Sequence, residues 1–112
     1  VDLMVSDLTI DTVGVLPKDA TASNFKKLNA NSREDDVAAA ILNMVSEVIG
    51  MVTVLAAKAF HCEEDVVLTG KLAQSKKIIK RINSVAELFK IRISVQTNCE
   101  YCVAIGAAKS IL

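Results

Sequence analysis

The chain has 112 residues, of which 52% are hydrophobic, and its 13 basic and 13 acidic residues cancel. This length fits one domain. The neutral balance argues against a nucleic-acid-binding protein, because neutralising phosphates requires a clustered excess of Lys and Arg. The mean hydropathy of +0.40 is high for a soluble chain. We therefore expect either a large core or an apolar surface that another segment or chain covers.

The first 31 residues are predicted to be largely irregular. Residues 1–11 mix apolar and acidic positions, which is typical of either a short helix or an edge strand. Residues 14–31 contain the single proline, Pro17, and many Asn, Ser, Thr and Asp residues, so they are predicted to form a loop. A loop of this length in a small domain is usually functional or packed by its own side chains.

A long helix is predicted to follow, over residues 37–60. Ser32 and Asp35 resemble a capping box, and Asn31 is an alternative cap. Apolar residues then recur in steps of three and four along two lines, which predicts a helix buried on more than one side. Polar residues interrupt the apolar run and argue against a membrane span. These residues are Asn43, Ser46, Glu47, Thr53 and Lys58.

The remaining residues predict strand, helix, strand and helix, over residues 65–70, 76–89, 91–95 and 100–111. Two strands joined by a crossover helix should be parallel, with the first covered on both faces. Two parallel strands alone make a poor sheet. We therefore expect further strands upstream of Val1, and an α/β fold of which this chain is one part.

The strand end at Gly70 is the best candidate ligand site. Glycine there allows a close approach of backbone and ligand, and Lys71, Lys76 and Lys77 could meet a phosphate. The alternative is an ordinary turn with solvated lysines. Single glycines of this kind are weak motifs.

Other chemistry-bearing residues each have a plainer interpretation. Cys99 and Cys102 form a Cys-x-x-Cys pair at a predicted helix start, where thiol pKa values are often lowered, as redox chemistry requires. The alternative is that they are packed, reduced thiols. His61 is expected to be structural, and Glu47 to be either a buried acid or a contact to another helix. Ser46 and Gly50 would let a second helix approach, within the domain or across a dimer.

Four segments of the chain stand as landmarks in a distinctive order. The first is residues 16–25, Leu-Pro-Lys-Asp-Ala-Thr-Ala-Ser-Asn-Phe. The others are the predicted helix at residues 41–50, the strand and loop at residues 66–70, and the ending at residues 101–107, Tyr-Cys-Val-Ala-Ile-Gly-Ala. In this order they resemble type II pantothenate kinases, whose first landmark is Pro-Gly-Asp-Leu-Thr-Ala-Ser-Asn-Phe-Gly. The resemblance covers nearly the whole chain.

The resemblance implies the carboxyl-terminal half of an RNase H-like (actin-like, hexokinase-type) ATPase domain. It implies transfer of the ATP γ-phosphoryl group to pantothenate, with Mg²⁺, in a cytoplasmic homodimer without nucleic-acid or membrane partners. The family's catalytic carboxylate and phosphate turns would lie before Val1, so no catalytic residue and no metal ligand is assigned. The implied nucleotide-binding residues are Thr9, Thr69, Gly70 and Lys71.

The sequence departs from the family at four positions. Lys18 and Lys26 replace glycines, Thr9 stands at a nucleotide-contacting Tyr, and Lys71 replaces a Ser. Loss of a Tyr removes a stacking surface worth on the order of 1 kcal/mol. Two alternatives stay open: a non-catalytic nucleotide-binding relative, and an iron–sulfur ATPase activator that uses Cys99 and Cys102.

Overall fold

A computed structural model describes residues 1–10 and 13–112 of the chain. These residues form two compact units, Val1–Val45 and Ser46–Leu112. The long helix α1, Glu34–Ala59, begins in unit 1 and ends in unit 2. Each unit contains a two-stranded sheet, so the architecture of the described residues is mixed α/β, as expected.

Unit 1 contains an antiparallel ribbon of β1 (Leu3–Met4) and β2 (Thr21–Ser23). A 3₁₀ turn, Val5–Asp7, follows β1, so the first residues are both strand and short helix. Asp11, the last residue of that prediction, lies outside the described residues. The prediction that residues 14–31 form only a loop is wrong, because β2 pairs with a partner far upstream. A strand this short shows no alternation that sequence could reveal.

Asp2 anchors the turn after β2 and the side of α1. Its Oδ1 accepts a hydrogen bond from the Phe25 backbone N–H (2.8 Å), and its Oδ2 accepts one from Asn43 Nδ2 (3.2 Å). Asn43 Nδ2 also donates to Thr21 Oγ1 over 3.0 Å. A polar network therefore fastens this turn and β2 to α1 inside unit 1.

The start of α1 differs from the predicted capping box. The Ser32 hydroxyl accepts a hydrogen bond from the Asn29 backbone N–H (3.0 Å), so it closes the turn before the helix. Glu34, Asp35 and Asp36 do lie in the first turn of α1. Negative charge is favoured there by the helix dipole.

Unit 2 is built on two parallel strands, β3 (Val66–Leu68) and β4 (Ile93–Val95), joined through α2 (Lys76–Leu88). A final helix, α3, covers Cys102–Ser110. The predicted order and the parallel pairing are confirmed. The expectation that β3 is covered on both faces is wrong for the described residues, because Val67 is 52% exposed.

Helix α1 packs against α2 through small residues. Ser46, Gly50, Val54 and Ala57 are buried and follow one another by one turn or nearly so. A Cβ placed on Gly50 would lie 2.9 Å from Val85 Cβ. The close helix approach predicted for Ser46 and Gly50 therefore occurs within the domain.

One apolar face of α1 in unit 2 is uncovered. Val48, Val52 and Leu55 are 58%, 61% and 63% exposed. The expectation of burial on more than one side is therefore wrong within the described part of the chain, because periodicity shows which residues are apolar but not what covers them. By length and composition alone α1 could cross a membrane, and 22% of its most apolar stretch is buried. That observation is weak evidence, since core helices of soluble proteins meet the same criterion.

Both long helices of unit 2 end in the same way. His61 and Lys90 adopt the left-handed conformation, with φ of 54° and 58°. The next N–H groups reach back, from Cys62 to Ala57 O (2.9 Å) and from Ile91 to Ala86 O (3.0 Å). These are Schellman motifs.

Each of the two Schellman motifs contains, directly after its left-handed residue, a residue that packs in the core. Ile91 is buried with Val54, Ala57 and Ala86, and Cys62 packs against this cluster. A hydrophobic residue at this position commonly accompanies a Schellman motif. The residues that follow α1 and α2 therefore contribute to the core, and from them the chain continues into β3 and β4.

Candidate functional site

The carboxyl ends of β3 and β4 form the candidate site. β3 runs into Thr69 and Gly70 and then a 3₁₀ turn, Lys71–Gln74. β4 runs into residues 96–98 and then a 3₁₀ turn, Cys99–Tyr101. We call residues 69–71 and 96–99 the strand-end edge. Ligands of open α/β sheets gather at such ends, because parallel strands present them side by side.

The turn at this edge depends on the backbone conformation of Gly70. Its φ of 100° and ψ of 170° lie in a region open essentially to glycine only. No atom lies within 4 Å of the place where a Cβ would stand. The Gly70 backbone therefore faces open space, into which a flat ligand could approach closely.

The Gly70 N–H is already used inside the protein. It donates a hydrogen bond to the Cys99 carbonyl oxygen over 2.8 Å, which ties the β3 turn to the β4 turn. That amide is therefore not available to a phosphate. What Gly70 offers a ligand is a close van der Waals approach.

The lysines after β3 are exposed. Lys71 begins the 3₁₀ turn, and Lys76 and Lys77 lie in the first turn of α2. Thr69 is exposed beside them. Cations in the first turn of a helix oppose its dipole, and a bound anion would offset that repulsion.

Three further polar residues of the edge were not singled out from the sequence. Gln96, Thr97 and Asn98 are exposed after β4, and Asn98 has a φ of 60°. Asn tolerates this left-handed conformation better than most residues. The run of polar residues directly after an alternating strand was the signal that could have identified them.

Thr9 lies in unit 1, whereas the strand-end edge lies in unit 2. Thr9 follows the 3₁₀ turn of unit 1, is partly buried, and donates its N–H to Val5 O over 3.2 Å. Within unit 2, the strand-end edge brings together three of the predicted nucleotide-binding residues, Thr69, Gly70 and Lys71.

Cys99 is buried beneath the edge. Its Sγ lies 4.0 Å from Gly70 O and 3.8 Å from Glu100 Oε2. Burial, and then the negative charge of Glu100, raise the pKa of the Cys99 thiol. The expectation of a lowered pKa is therefore wrong for Cys99, because loss of water around the thiol opposes formation of the thiolate.

The described residues contain no metal centre of the usual kind. Within residues 1–10 and 13–112, no three His, Cys, Asp or Glu side chains come together as metal ligands would. Cys62 precedes β3, whereas Cys99 and Cys102 follow β4, so Cys62 lies at the other end of the sheet from the pair.

Glu47 contacts a neighbouring helix. Arg81 Nη2 of α2 donates to Glu47 Oε1 over 2.6 Å, and the two side chains are 19% and 24% exposed. The plainer of the two interpretations of Glu47 is therefore the one seen. The ion pair joins the same two helices that Gly50 and Val85 bring into contact.

Two grooves of unit 2 run beside α2, share Asn83 and Glu87, and include no residue of the strand-end edge. One of them also reaches Ile91 and Ile93, near the amino end of β4.

No protein-family model matches this sequence, and no curated protein matches it either. The resemblance to pantothenate kinases therefore rests on the four ordered landmarks of the sequence alone.

Proposed function

We propose that the chain forms the nucleotide-side wall of an ATP-dependent kinase with the RNase H-like, actin-like ATPase fold. The observation that carries this proposal is the Gly70 turn. It stands at the carboxyl end of a parallel strand, is tied to the neighbouring strand end through Cys99, and is open where a side chain would be. The acceptor we propose is pantothenate, on the basis of the resemblance.

The residues of the edge suit part of a nucleotide. The open Gly70 backbone offers a flat surface to the base or ribose, and Lys71 offers a charge to a phosphate. Residues 69–71 and 96–99 contain no carboxylate. In the proposed kinase, the oxygen ligands for Mg²⁺ and the catalytic carboxylate would therefore come from residues other than those of the strand-end edge.

The resemblance also supplies Thr9 as a nucleotide contact, a cytoplasmic location and a homodimer. The exposed residues Val48, Val52 and Leu55 of α1 support the homodimer. Their steps of four and three are those by which two identical helices pack together. Sedimentation of the wild type and of Val52→Glu tests this, and a monomeric wild-type protein would refute it.

The kinase proposal is tested with the whole protein, pantothenate and Mg-ATP. Lys71→Met should raise the KM for ATP about tenfold, equivalent to about 1.4 kcal/mol. Lys80→Met is the matched control, because Lys80 is also exposed but lies in the middle of α2, and it should leave KM unchanged. Good ATP binding with no phosphorylation of pantothenate would defeat the substrate assignment. Absence of ATP binding would defeat the nucleotide wall.

The departures favour a second candidate, a nucleotide-binding relative without kinase activity. Lys18 and Lys71 are exposed and charged where the family has Gly and Ser. Tight ATP binding without turnover on any small hydroxyl compound would favour this candidate. The iron–sulfur alternative finds no support among the described residues, and iron analysis of anaerobically purified protein tests it.

A further inference from the structure

Cys99 and Cys102 share the turn that holds Gly70. Cys99 begins the 3₁₀ turn Cys99–Tyr101, and Cys102, with φ of −51° and ψ of −42°, is the first residue of α3. Residues three apart along a helical segment are neighbours on its surface. The spacing of Cys99 and Cys102 therefore places the two residues on one side of this segment.

The spacing allows a disulfide only if the turn tightens. Three residues of 3₁₀ helix advance about 6 Å, which lies within the Cα separation of about 4.4–6.8 Å that disulfides accept. The Cβ atoms of such neighbours are about 5–6 Å apart, whereas a disulfide needs about 3.5–4.5 Å. Closing the bond must therefore pull Cys99 and Cys102 together.

We propose that Cys99 and Cys102 form a reversible disulfide that loosens the Gly70 turn and so weakens nucleotide binding at the strand-end edge. The last step rests on the proposed function; the disulfide and its effect on Gly70 do not.

The oxidant is a small-molecule disulfide, such as glutathione disulfide. Cys102 is partly exposed and Cys99 is 4% exposed, so Cys102 reacts first. Its sulfur forms a bond to one glutathione sulfur and releases the other as a thiol. The Cys99 sulfur then attacks the Cys102 sulfur, the protein disulfide forms, and the second glutathione leaves. The two cysteine protons end on the two glutathione thiols.

The coupling to Gly70 is direct. Cys99 Sγ must leave its place 4.0 Å from Gly70 O to reach Cys102. The same residue supplies the carbonyl that accepts the Gly70 N–H bond. Moving the Cys99 sulfur and tightening its turn therefore disturbs both contacts between Cys99 and Gly70.

The disulfide is tested by treating the whole protein with glutathione disulfide and mapping its thiols by alkylation and mass spectrometry. The peptide that contains Cys99 and Cys102 should lose two hydrogens and escape alkylation, while Cys62 is still alkylated. Cys102→Ser should abolish this product. Cys62→Ser, at the other end of the sheet, should retain it. Pairing through Cys62, or three free thiols after treatment, would overturn the proposal.

The effect on the turn is followed by hydrogen exchange of the Gly70 amide and by ATP titration. In the oxidised protein the Gly70 amide should exchange faster, and ATP affinity should fall about fivefold or more. Dithiothreitol should restore both. An unchanged Gly70 exchange rate in the oxidised protein would refute the coupling. Faster Gly70 exchange with unchanged ATP binding would leave the disulfide intact and count against the proposed nucleotide wall.

Discussion

A methyl group added at Gly50 measures how closely α1 and α2 pack. In Gly50→Ala the new Cβ would lie 2.9 Å from Val85 Cβ and 3.1 Å from Val85 Cγ1. Val85 Cβ is fixed to the α2 backbone, so the helices must separate. Overpacking of this kind costs about 1–3 kcal/mol, and replacing a helical glycine by alanine returns about 1 kcal/mol. We therefore expect Gly50→Ala to lower the free energy of unfolding by about 1 kcal/mol.

Gly106→Ala is the matched control. Gly106 lies inside α3, and no atom lies within 4 Å of its Cβ position. Only the helix propensity changes in Gly106→Ala, so its free energy of unfolding should rise by up to about 1 kcal/mol. In urea, with a slope of about 1 kcal/mol/M, circular dichroism should show midpoints shifted by about 1 M in opposite directions. A midpoint that rises in Gly50→Ala would refute the close packing of α1 against α2.

Three further predictions follow from the structure. Lys90→Gly should raise the free energy of unfolding by about 0.5–1 kcal/mol in a urea titration, because Lys90 is left-handed. Glu47→Gln should lower it by about 1–3 kcal/mol, because it removes the carboxylate charge that pairs with the partly buried Arg81. A double variant with Arg81→Met whose loss equals the sum of the two single losses would contradict this coupling. The hydrogen bond from Lys27, and then that from the Met4 N–H, lower the pKa of Asp7. The charged Asp7 side chain therefore stabilises the fold above about pH 4, and this stabilisation is lost as pH falls through the folded-state pKa of Asp7. In Asp7→Asn, the free energy of unfolding should therefore fall less between neutral and acid pH than it does in the wild type.

The elements of unit 2 could be predicted because their periods are distinct. Residues 76–89 repeat with a helical period and contain α2, and residues 91–95 alternate in sequence and contain β4, although all three residues of β4 are partly buried. β2 could not be predicted, because its partner is distant in sequence and both strands are very short. The exposure of α1 could not be predicted either, since hydrophobicity does not identify what lies opposite a helix.

The candidate site was predicted at Thr69, Gly70 and Lys71. Gly70 could be singled out because ligands of open α/β sheets gather where strands end, although a lone glycine there is also an ordinary turn residue. The hydrogen bond that joins it to Cys99 depends on the pairing of β3 with β4, and no local pattern contains that information. The raised pKa of Cys99 likewise follows from burial, which the Cys-x-x-Cys spacing does not determine.

The Schellman motifs that end α1 and α2 lie where the chain enters β3 and β4. We expect insertions to be poorly tolerated at this end of the sheet. An extra residue between Lys90 and Ile93 would move β4 out of register and turn its side chains to the opposite faces. At the other end of the same strands the chain leaves the sheet through exposed turns, where insertions are tolerated more easily. Residues at the carboxyl ends of the strands could therefore change during evolution and alter ligand preference, while the residues at the amino ends keep the register of the sheet.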